Sequence, residues 1–386
     1  MVNDRVAAAL KRTTDLYEAE LAAAGPLRTA DDIPLSYEAV TDEWLTAILC
    51  HATPGAKVVG HQLGEVDNGT TNRRRIHVDY NSAGRATGLE QRLFCKASFS
   101  LESRFALGVT GAAAAEVNFY RYVRSHLTIE ATEAVFANIN DAYNSIVVSR
   151  DITDSVREFC DHETAIDRAR AESQMRLLAT LHAQGSTTPA ILASHGAFQS
   201  FSELFEATKS YGLDRGAAVG FLASADMIPA RSYARHAEVW GKTEEAVKRA
   251  SKRPQTLTHG DVHLKNWYIA GNGEMGLGDW QCTTIGHWGR DLAYALSTAL
   301  TVENRRAWER DLIALYLDQL GQLGGQVAGF DEAWGYYREQ MLPALAWWTV
   351  TLTPPAGAPE MQPKATAVEF VHRIGTAVDD LESLDA

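Results

Sequence analysis

The sequence is poor in cysteine, in long apolar runs and in net positive charge. Its four cysteines lie far apart and form no CxxC pair, which argues against a zinc site or a disulfide framework and fits a reducing cytoplasm. The longest apolar run, Leu342 to Leu352, contains Pro343 and has about half of the roughly 20 residues that cross a bilayer. The N-terminal segment mixes apolar residues with charges and lacks the apolar core of a signal peptide. We therefore expect a cytoplasmic protein that does not span a membrane.

The chain is acidic, whereas proteins that bind nucleic acid are usually basic. The 49 acidic residues outnumber the 36 basic ones, and the formal net charge of −13 disfavours attraction to nucleic acid or to an anionic membrane. A cationic substrate would be favoured, although a solvated acidic surface is the commoner explanation of such a charge. With 386 residues, 46% of them hydrophobic, the chain can form one large domain or two lobes with a cleft.

The hydrophobic pattern changes along the chain. Thr41 is a plausible N-cap of a short helix, and a strand-rich stretch follows from Val58 to Ala97, with short strands that glycine interrupts twice. A helix is predicted around Ala112 to Val123 and a strand at Ile146 to Val148. From Glu163 onward, apolar stripes with charged faces predict a mainly helical half.

One polar segment, between Thr256 and Cys282, interrupts the helical half. In LTHGDVHLKNWYI, Asp261 and Asn266 lie five residues apart between two short apolar strands, and Asp279 follows another strand in GLGDWQ. Phosphoryl transfer to an alcohol needs a carboxylate that accepts the hydroxyl proton, together with oxygen ligands that hold a metal ion against the phosphates. Mg²⁺ takes one or two carboxylates with phosphate oxygens. The spacing therefore predicts a site for a metal ion and phosphates.

These residues carry a resemblance to a known family. HGDVHLKN followed by GDWQ is similar to the motifs of the aminoglycoside phosphotransferase and choline kinase-like group. The resemblance implies that Asp261 is the catalytic aspartate and that Asn266 and Asp279 bind Mg²⁺. Asp291 in GRDLAYAL matches a family aspartate that starts the next helix and braces the catalytic loop, and a role as N-cap would explain it equally well.

A kinase also needs a lysine that neutralises phosphate charge and a helical carboxylate that holds it. Lys96 lies in the apolar strand LFCKAS, where a charge without a partner would be costly, and Glu116 lies in AAAAEVNFYRYV. The Glu-x-x-Phe-Tyr pattern is similar to the equivalent helix of the family. The alternative is a lysine at a sheet edge and a solvated glutamate.

The segment LGEVDNGTTNRRRIHV resembles the hairpin that covers the phosphates in this family. Gly69 would allow close backbone approach, and Thr70, Thr71 and Asn72 would donate hydrogen bonds to phosphate oxygens. An ordinary Asn-Gly hairpin turn is the alternative.

The strand that ends near Val148 and leads into Arg150 would then be the hinge. Its backbone, rather than its side chains, would contact the adenine edge of the nucleotide.

Two further groups of residues allow more than one interpretation. Trp347, Trp348, Trp280 and Trp288 could line an acceptor pocket, but core packing is the commoner role of such residues. His182 ends an amphipathic stripe and is interpreted as a packed histidine rather than a catalyst.

We therefore expect an α+β, two-lobed, protein-kinase-like fold: a small lobe with an antiparallel sheet (residues 1–149) and a larger, mainly helical lobe (150–386), with ATP between them. The predicted function is transfer of the γ-phosphate of ATP, with Mg²⁺, to a hydroxyl of a small molecule similar to an aminoglycoside, amino alcohol or sugar. One alternative is a catalytically silent nucleotide-binding regulator. Another is a metal-dependent hydrolase that uses His259, His263 and Asp261.

Overall fold

The computed structural model of the protein describes residues 2–354 and 361–386. The described chain divides into two compact units. The first consists of the residues up to Ser125 together with Thr132–Asp154, and the second consists of His126–Ala131 and Ser155–Ala386.

The first unit contains one antiparallel sheet of five strands in the order β1-β2-β3-β5-β4. The strands are β1 (Val58–Asn68), β2 (Asn72–Tyr80), β3 (Arg92–Ala97), β4 (Ala134–Ile139) and β5 (Ser145–Arg150). The prediction of short strands interrupted by glycine is wrong for β1, which has 11 residues. Gly60 and Gly64 lie at its two register shifts, so bulges in the pairing accommodate them without ending the strand.

Five α-helices of the first unit are α1 (Val2–Ala22), α2 (Asp42–Leu49), α3 (Ser82–Ala86), α4 (Leu101–Thr110) and α5 (Ala112–Asn118). The predicted cap of α2 is confirmed, because Oγ1 of Thr41 accepts a hydrogen bond from N–H of Trp44 at 3.1 Å. The predicted helix over Ala112 to Val123 is present, but its second half, Phe119–Val123, has the wider turn of a π-helix.

The core of the first unit lies between α2 and one face of the sheet. Trp44 and Ile48 of α2 pack in the same cluster as the inward residues of β3, Leu93 and Cys95. Side chains alternate between the faces of a strand, so Lys96 lies on the face of β3 opposite to this core. The pattern of burial thus positions Lys96 away from the apolar cluster.

The described residues of the second unit form five short strands, β6 (Val156–Phe159), β7 (Thr256–Thr258), β8 (Trp267–Ala270), β9 (Met275–Leu277) and β10 (Thr284–Gly286). They form an antiparallel sheet in the order β6-β8-β9 and an antiparallel pair of β7 with β10. The polar segment that the sequence singles out, Thr256 to Cys282, therefore contains β7, β8 and β9 and the loops that follow them.

The rest of the second unit is mainly helical. Its described α-helices are α6 (Arg168–Thr187), α7 (Pro189–Ser194), α8 (Phe201–Ser210), α9 (Leu213–Leu222), α10 (Ala230–Tyr233), α11 (His236–Ala250), α12 (Gly289–Ala299), α13 (Val302–Gln322), α14 (Phe330–Leu352) and α15 (Lys364–Asp380). Every residue of α12 is buried, which makes it the central helix of this unit. The combination of a small antiparallel sheet with many helices confirms the α+β class. None of the described helices has the length and apolarity to cross a membrane.

Candidate active site

Asp261 lies in the loop between β7 and β8, where three polar groups contact its carboxylate. Oδ1 accepts a hydrogen bond from the hydroxyl of Tyr294 at 2.9 Å. Oδ2 accepts from Nδ2 of Asn266 at 3.3 Å and lies 3.4 Å from Nε2 of His263. The side chain is 24% exposed, so a small molecule can reach it.

The surroundings of Asp261 favour its ionised form. Burial raises the pKa of this carboxyl. The neighbouring His263 and His259 and the hydroxyl of Tyr294 have a larger opposite effect, and together they lower the pKa to about 2. The group is therefore a carboxylate at neutral pH. It can accept and orient a hydroxyl hydrogen, but it is a weak base for a free alcohol.

Asn266 and Asp279 are brought to neighbouring loops by the pairing of β8 with β9. The amide Nδ2 of Asn266 donates to the backbone oxygen of Asp261 at 2.7 Å, which leaves Oδ1 as the atom for another ligand. N–H of Gly278 donates to the backbone oxygen of Asn266 at 2.8 Å, and Asp279 follows in the left-handed conformation, with φ of 62°. An amide oxygen and a carboxylate are hard oxygen donors, and this donor set fits Mg²⁺.

His259 connects the two loops. N–H of Asp261 can only donate, so Nδ1 of His259 accepts from it at 3.2 Å, and Nε2–H of His259 donates to the backbone oxygen of Gly278 at 2.9 Å. Burial lowers the pKa of His259, which is consistent with a neutral ring. Both ring nitrogens are therefore engaged in hydrogen bonds.

This geometry does not support the alternative of a metal-dependent hydrolase that uses His259, His263 and Asp261. His259 has no nitrogen left for a metal ion. Across residues 2–354 and 361–386, no group of three or more His, Cys, Asp or Glu side chains could hold one.

Asp291 binds the backbone of the catalytic loop. Its carboxylate accepts from N–H of His259 at 2.8 Å and from N–H of Gly260 at 2.9 Å. It is the third residue of α12, so the explanation as an N-cap is wrong and the bracing role fits. Burial raises the pKa of Asp291, but the hydrogen bond from His182 and the charges and N–H groups around it lower it below its ordinary value.

His182 is buried and supports Asp291 from behind. Its Nε2 lies 3.1 Å from the Asp291 carboxylate, and its Nδ1 lies 2.8 Å from the hydroxyl of Tyr316. The interpretation of His182 as a packed histidine agrees with its burial, but its hydrogen bonds connect it to the catalytic loop.

Lys96 and Glu116 form the ion pair that the sequence predicts in the first unit. Nζ of Lys96 lies 3.0 Å from Oε1 of Glu116, and the two side chains are only 13% and 8% exposed. A lysine at a sheet edge and a solvated glutamate are therefore both wrong. The pairing fixes the ammonium group of Lys96.

The predicted hairpin joins β1 to β2, with Gly69, Thr70 and Thr71 in its turn. Oδ1 of Asn72 accepts from N–H of Phe99 at 2.9 Å and of Ser100 at 3.0 Å, while Nδ2 donates to Asn68. The side chain of Asn72 thus ties the hairpin to the segment after β3. A contact of Asn72 with phosphate stays a prediction.

Val148 and Arg150 lie in β5. Val148 is fully buried, and β5 pairs with β3 on one side and β4 on the other, so the sheet surrounds the Val148 backbone. N–H of Arg150 donates to the backbone oxygen of Glu133 at 3.3 Å, and its side chain is 57% exposed. A backbone contact of Val148 or Arg150 with a nucleotide base stays a prediction.

Two residues that contact Asp261, Tyr294 and His263, were not predicted from the sequence as neighbours of its carboxylate. Tyr294 lies three residues after Asp291, so the helical spacing places both on neighbouring positions of α12, and that spacing was an available signal. The sequence suggests a role for His263 only in the alternative of a metal-dependent hydrolase. Of the four tryptophans, Trp280, Trp288 and Trp348 are buried, and Trp347 is partly exposed.

Comparisons with known proteins place this arrangement in context. Among solved structures, the GDP complex of an aminoglycoside 2′-phosphotransferase-IIIa has a TM-score of 0.50 at 9% identity, over 87% of this chain and 99% of its own. A candidate aminoglycoside phosphotransferase from Ralstonia eutropha has a TM-score of 0.50 at 12% identity, over 86% and 94%. The choline kinase LicA from Streptococcus pneumoniae has a TM-score of 0.46 at 14% identity, over 84% and 94%. No curated protein matches the chain in sequence.

The shared fold is the kinase-like fold of small-molecule phosphotransferases. A sequence model described as the phosphotransferase enzyme family matches residues 112–330, which is more than half of the chain. The chain therefore belongs to the phosphotransferase enzyme family and is a small-molecule kinase, and the predicted resemblance is confirmed.

Proposed function

We propose that the enzyme transfers the γ-phosphoryl group of ATP, with Mg²⁺, to a hydroxyl group of a small molecule. The observation that carries this proposal is the carboxylate of Asp261, which is partly exposed and is oriented by hydrogen bonds from Tyr294 and Asn266.

Asp261 is proposed to orient the acceptor hydroxyl rather than to deprotonate it early. A carboxylate with a pKa of about 2 takes little of the proton from a free alcohol. The transition state of phosphoryl transfer is loose, so the attacking oxygen needs alignment first and loses its proton late. Tyr294 restricts Oδ1, which would leave a fixed direction for the acceptor hydroxyl.

Asn266 and Asp279 are the proposed ligands of Mg²⁺, through Oδ1 and the carboxylate respectively. When bound, Mg²⁺ would supply positive charge that offsets the charge of the phosphate oxygens. His259 holds the loops of both ligands together, and it would therefore maintain the ligands at a constant separation.

In the first unit, Lys96 is proposed to bind nucleotide phosphates, with Glu116 holding the ammonium group in place. Gly69, Thr70 and Thr71 are proposed to cover the phosphates through the hairpin turn. One solved structure with the same fold is a GDP complex, which supports nucleotide binding here, and ATP is the proposed phosphate donor.

The acceptor is proposed to be a hydroxylated small molecule of the aminoglycoside, amino-alcohol or sugar type. A test is a coupled assay of ADP release with ATP or GTP, with and without Mg²⁺, over a panel of such alcohols. Mass spectrometry of the acceptor then identifies the phosphorylated product. We expect release that requires both Mg²⁺ and an acceptor.

Asp261→Asn tests the mechanism in the same assay. We expect kcat to fall by about 10²- to 10⁴-fold while ATP binding is retained. Asp311→Asn is the control, because its side chain is 71% exposed on α13 and it should not change kcat. Turnover of Asp261→Asn at the wild-type rate would reject the mechanism. Nucleotide binding without release on any acceptor would favour a silent regulator.

A further inference from the structure

We infer that Arg290 is a positioning residue that fixes the catalytic loop against an aromatic cluster of the second unit. This inference rests on the proposed function for its kinetic effects. The aromatic cluster is defined as Phe201, Phe205, Trp240 and Trp347, whose rings lie 5.5 to 6.3 Å apart in successive pairs.

Arg290 and Asp291 hold the same residue of the catalytic loop from both sides. Nη2 of Arg290 donates to the backbone oxygen of Gly260 at 2.9 Å, while Asp291 accepts from N–H of Gly260. Gly260 has φ of 80°, and a Cβ there would lie 2.3 Å from the backbone oxygen of Cys282. Both backbone polar groups of this left-handed glycine are therefore fixed immediately before Asp261.

The guanidinium of Arg290 is otherwise held by ring faces. It is 3% exposed and lies 4.0 Å from the ring centre of Phe201 and 5.0 Å from that of Trp347. Its Nε and Nη1 have no hydrogen-bond partner among the described residues, so Gly260 is its only hydrogen-bonded contact there. The cation is therefore stacked on the cluster with one directed bond toward the loop.

Burial of the Arg290 guanidinium costs free energy, because it removes a charge from water. Burial lowers the pKa of Arg290. A protein is often less stable with a buried cation that has few partners than with an apolar side chain of similar volume at the same position. Arg290 also lies one helical turn before Tyr294, which binds the Asp261 carboxylate. The same face of α12 thus sets the backbone before Asp261 and the direction of its side chain.

The contact connects the loop to two distant helices. Phe201 begins α8 and Trp347 lies near the end of α14. A shift of either helix would therefore move Arg290 and, through its hydrogen bond, the backbone of Gly260. A small displacement of Asp261 is enough to reduce transfer strongly, since misplacement by about 1 Å can lower a rate on the order of 10²-fold.

The experiment compares Arg290→Gln, Arg290→Lys and Phe201→Leu with a control, Arg373→Gln. Arg373 is also a buried arginine that donates to backbone oxygens, those of Thr298 and His162, outside the catalytic loop. We expect Arg290→Gln to lower kcat on the order of 10²-fold with the KM for ATP unchanged. Arg290→Lys, which keeps the charge and one donor, should recover part of kcat.

Hydrogen–deuterium exchange separates this inference from the proposed function, because it needs no acceptor. We expect the amides of residues 259–261 to exchange faster in Arg290→Gln and Phe201→Leu than in wild type or Arg373→Gln. If Arg290→Gln does not fold, Arg290→Lys and Phe201→Leu carry both measurements. Unchanged exchange in this loop, or a loss of kcat in Arg373→Gln as large as in Arg290→Gln, would overturn the positioning role. A wild-type enzyme without turnover but with this exchange pattern would reject only the proposed function.

Discussion

Nε2–H of His259 donates to the backbone oxygen of Gly278, 2.9 Å away. This bond joins the loop of Asp261 to the loop of Asp279. The other ring nitrogen of His259 accepts a hydrogen bond from N–H of Asp261, and a substitution can remove the first bond and keep the second. Asn at position 259 can still accept from N–H of Asp261, but it is too short to reach Gly278 as the imidazole does.

We predict that His259→Asn raises the Mg²⁺ concentration that gives half-maximal activity, because the Asp279 loop loses its anchor. His195→Asn is the matched control, since Nε2 of His195 also lies 2.9 Å from a backbone oxygen, that of Gly185, away from these loops. Titration of activity with Mg²⁺ measures the effect. An unchanged Mg²⁺ dependence in His259→Asn would show that the bond does not support the metal ligands.

Lys96→Met and Glu116→Gln should weaken ATP binding. The first removes the ammonium group that we propose for the phosphates, and a hydrogen bond of a charged group contributes about 1.5 to 3 kcal/mol, or roughly 10- to 100-fold in affinity. Glu116→Gln should have a smaller effect, because the ammonium group remains but is held less firmly. Titration with a fluorescent ATP analogue measures both.

Asp15→Asn is the control for these variants, because Asp15 pairs with Lys11 on an exposed face of α1. It should bind ATP as the wild type does. Equal affinities of Lys96→Met and Asp15→Asn would mean that Lys96 does not contact the nucleotide.

Gly260→Ala should lower both stability and turnover. Alanine in the left-handed conformation costs about 1 to 2 kcal/mol, and here its Cβ would also clash with the backbone oxygen of Cys282. Gly55→Ala is the control, because Gly55 has φ of 78° but nothing within 4 Å of an added Cβ. Urea unfolding should show a larger loss for Gly260→Ala than for Gly55→Ala. Equal losses would contradict the clash.

His287 should make the stability of the enzyme depend on pH. Burial, with the nearby charges of Arg253 and His182, lowers its pKa from 6.5 to about 3. Below pH 6.5 the unfolded state binds a proton that the folded state does not. The free energy of unfolding therefore decreases as the pH is lowered, by on the order of 2 kcal/mol at about pH 5. Above pH 6.5 this effect is absent.

His287→Asn tests this prediction, because Oδ1 of asparagine can accept from N–H of Gly289 as Nδ1 of His287 does at 3.1 Å. Urea unfolding of both proteins between about pH 5 and pH 8 gives the comparison. The difference between the two pH profiles should have the size and direction given above. Parallel profiles would show that the pKa of His287 is the same in the folded and in the unfolded protein.

The sequence predicts local features of the site better than distant ones. Asp261, Asn266 and Asp279 lie within 20 residues, and the short apolar strands between them dictate which loops become neighbours. The Thr41 cap and the pair of Lys96 with Glu116 were likewise predictable, because a cap is local and a lysine within an apolar strand demands a partner.

Tertiary structure determined the rest. Arg290 reaches Gly260 only because α12 packs centrally, and the pattern of a fully buried helix does not indicate which of its faces meets the loop. Gly60 and Gly64 could be absorbed in β1 because β2 pairs across the bulges, which periodicity within one strand does not reveal. The sequence around Val148 likewise does not indicate that β5 lies between two other strands.

The stacking of Arg290 also bears on acceptor choice. Aromatic rings commonly recognise quaternary ammonium groups by surrounding them, and an enzyme with this net charge would be a natural candidate for such a cage. The inner faces of Phe201 and Trp347 already hold an internal cation. Arg290 occupies these ring faces, so they are not available to the ammonium group of a choline-like acceptor.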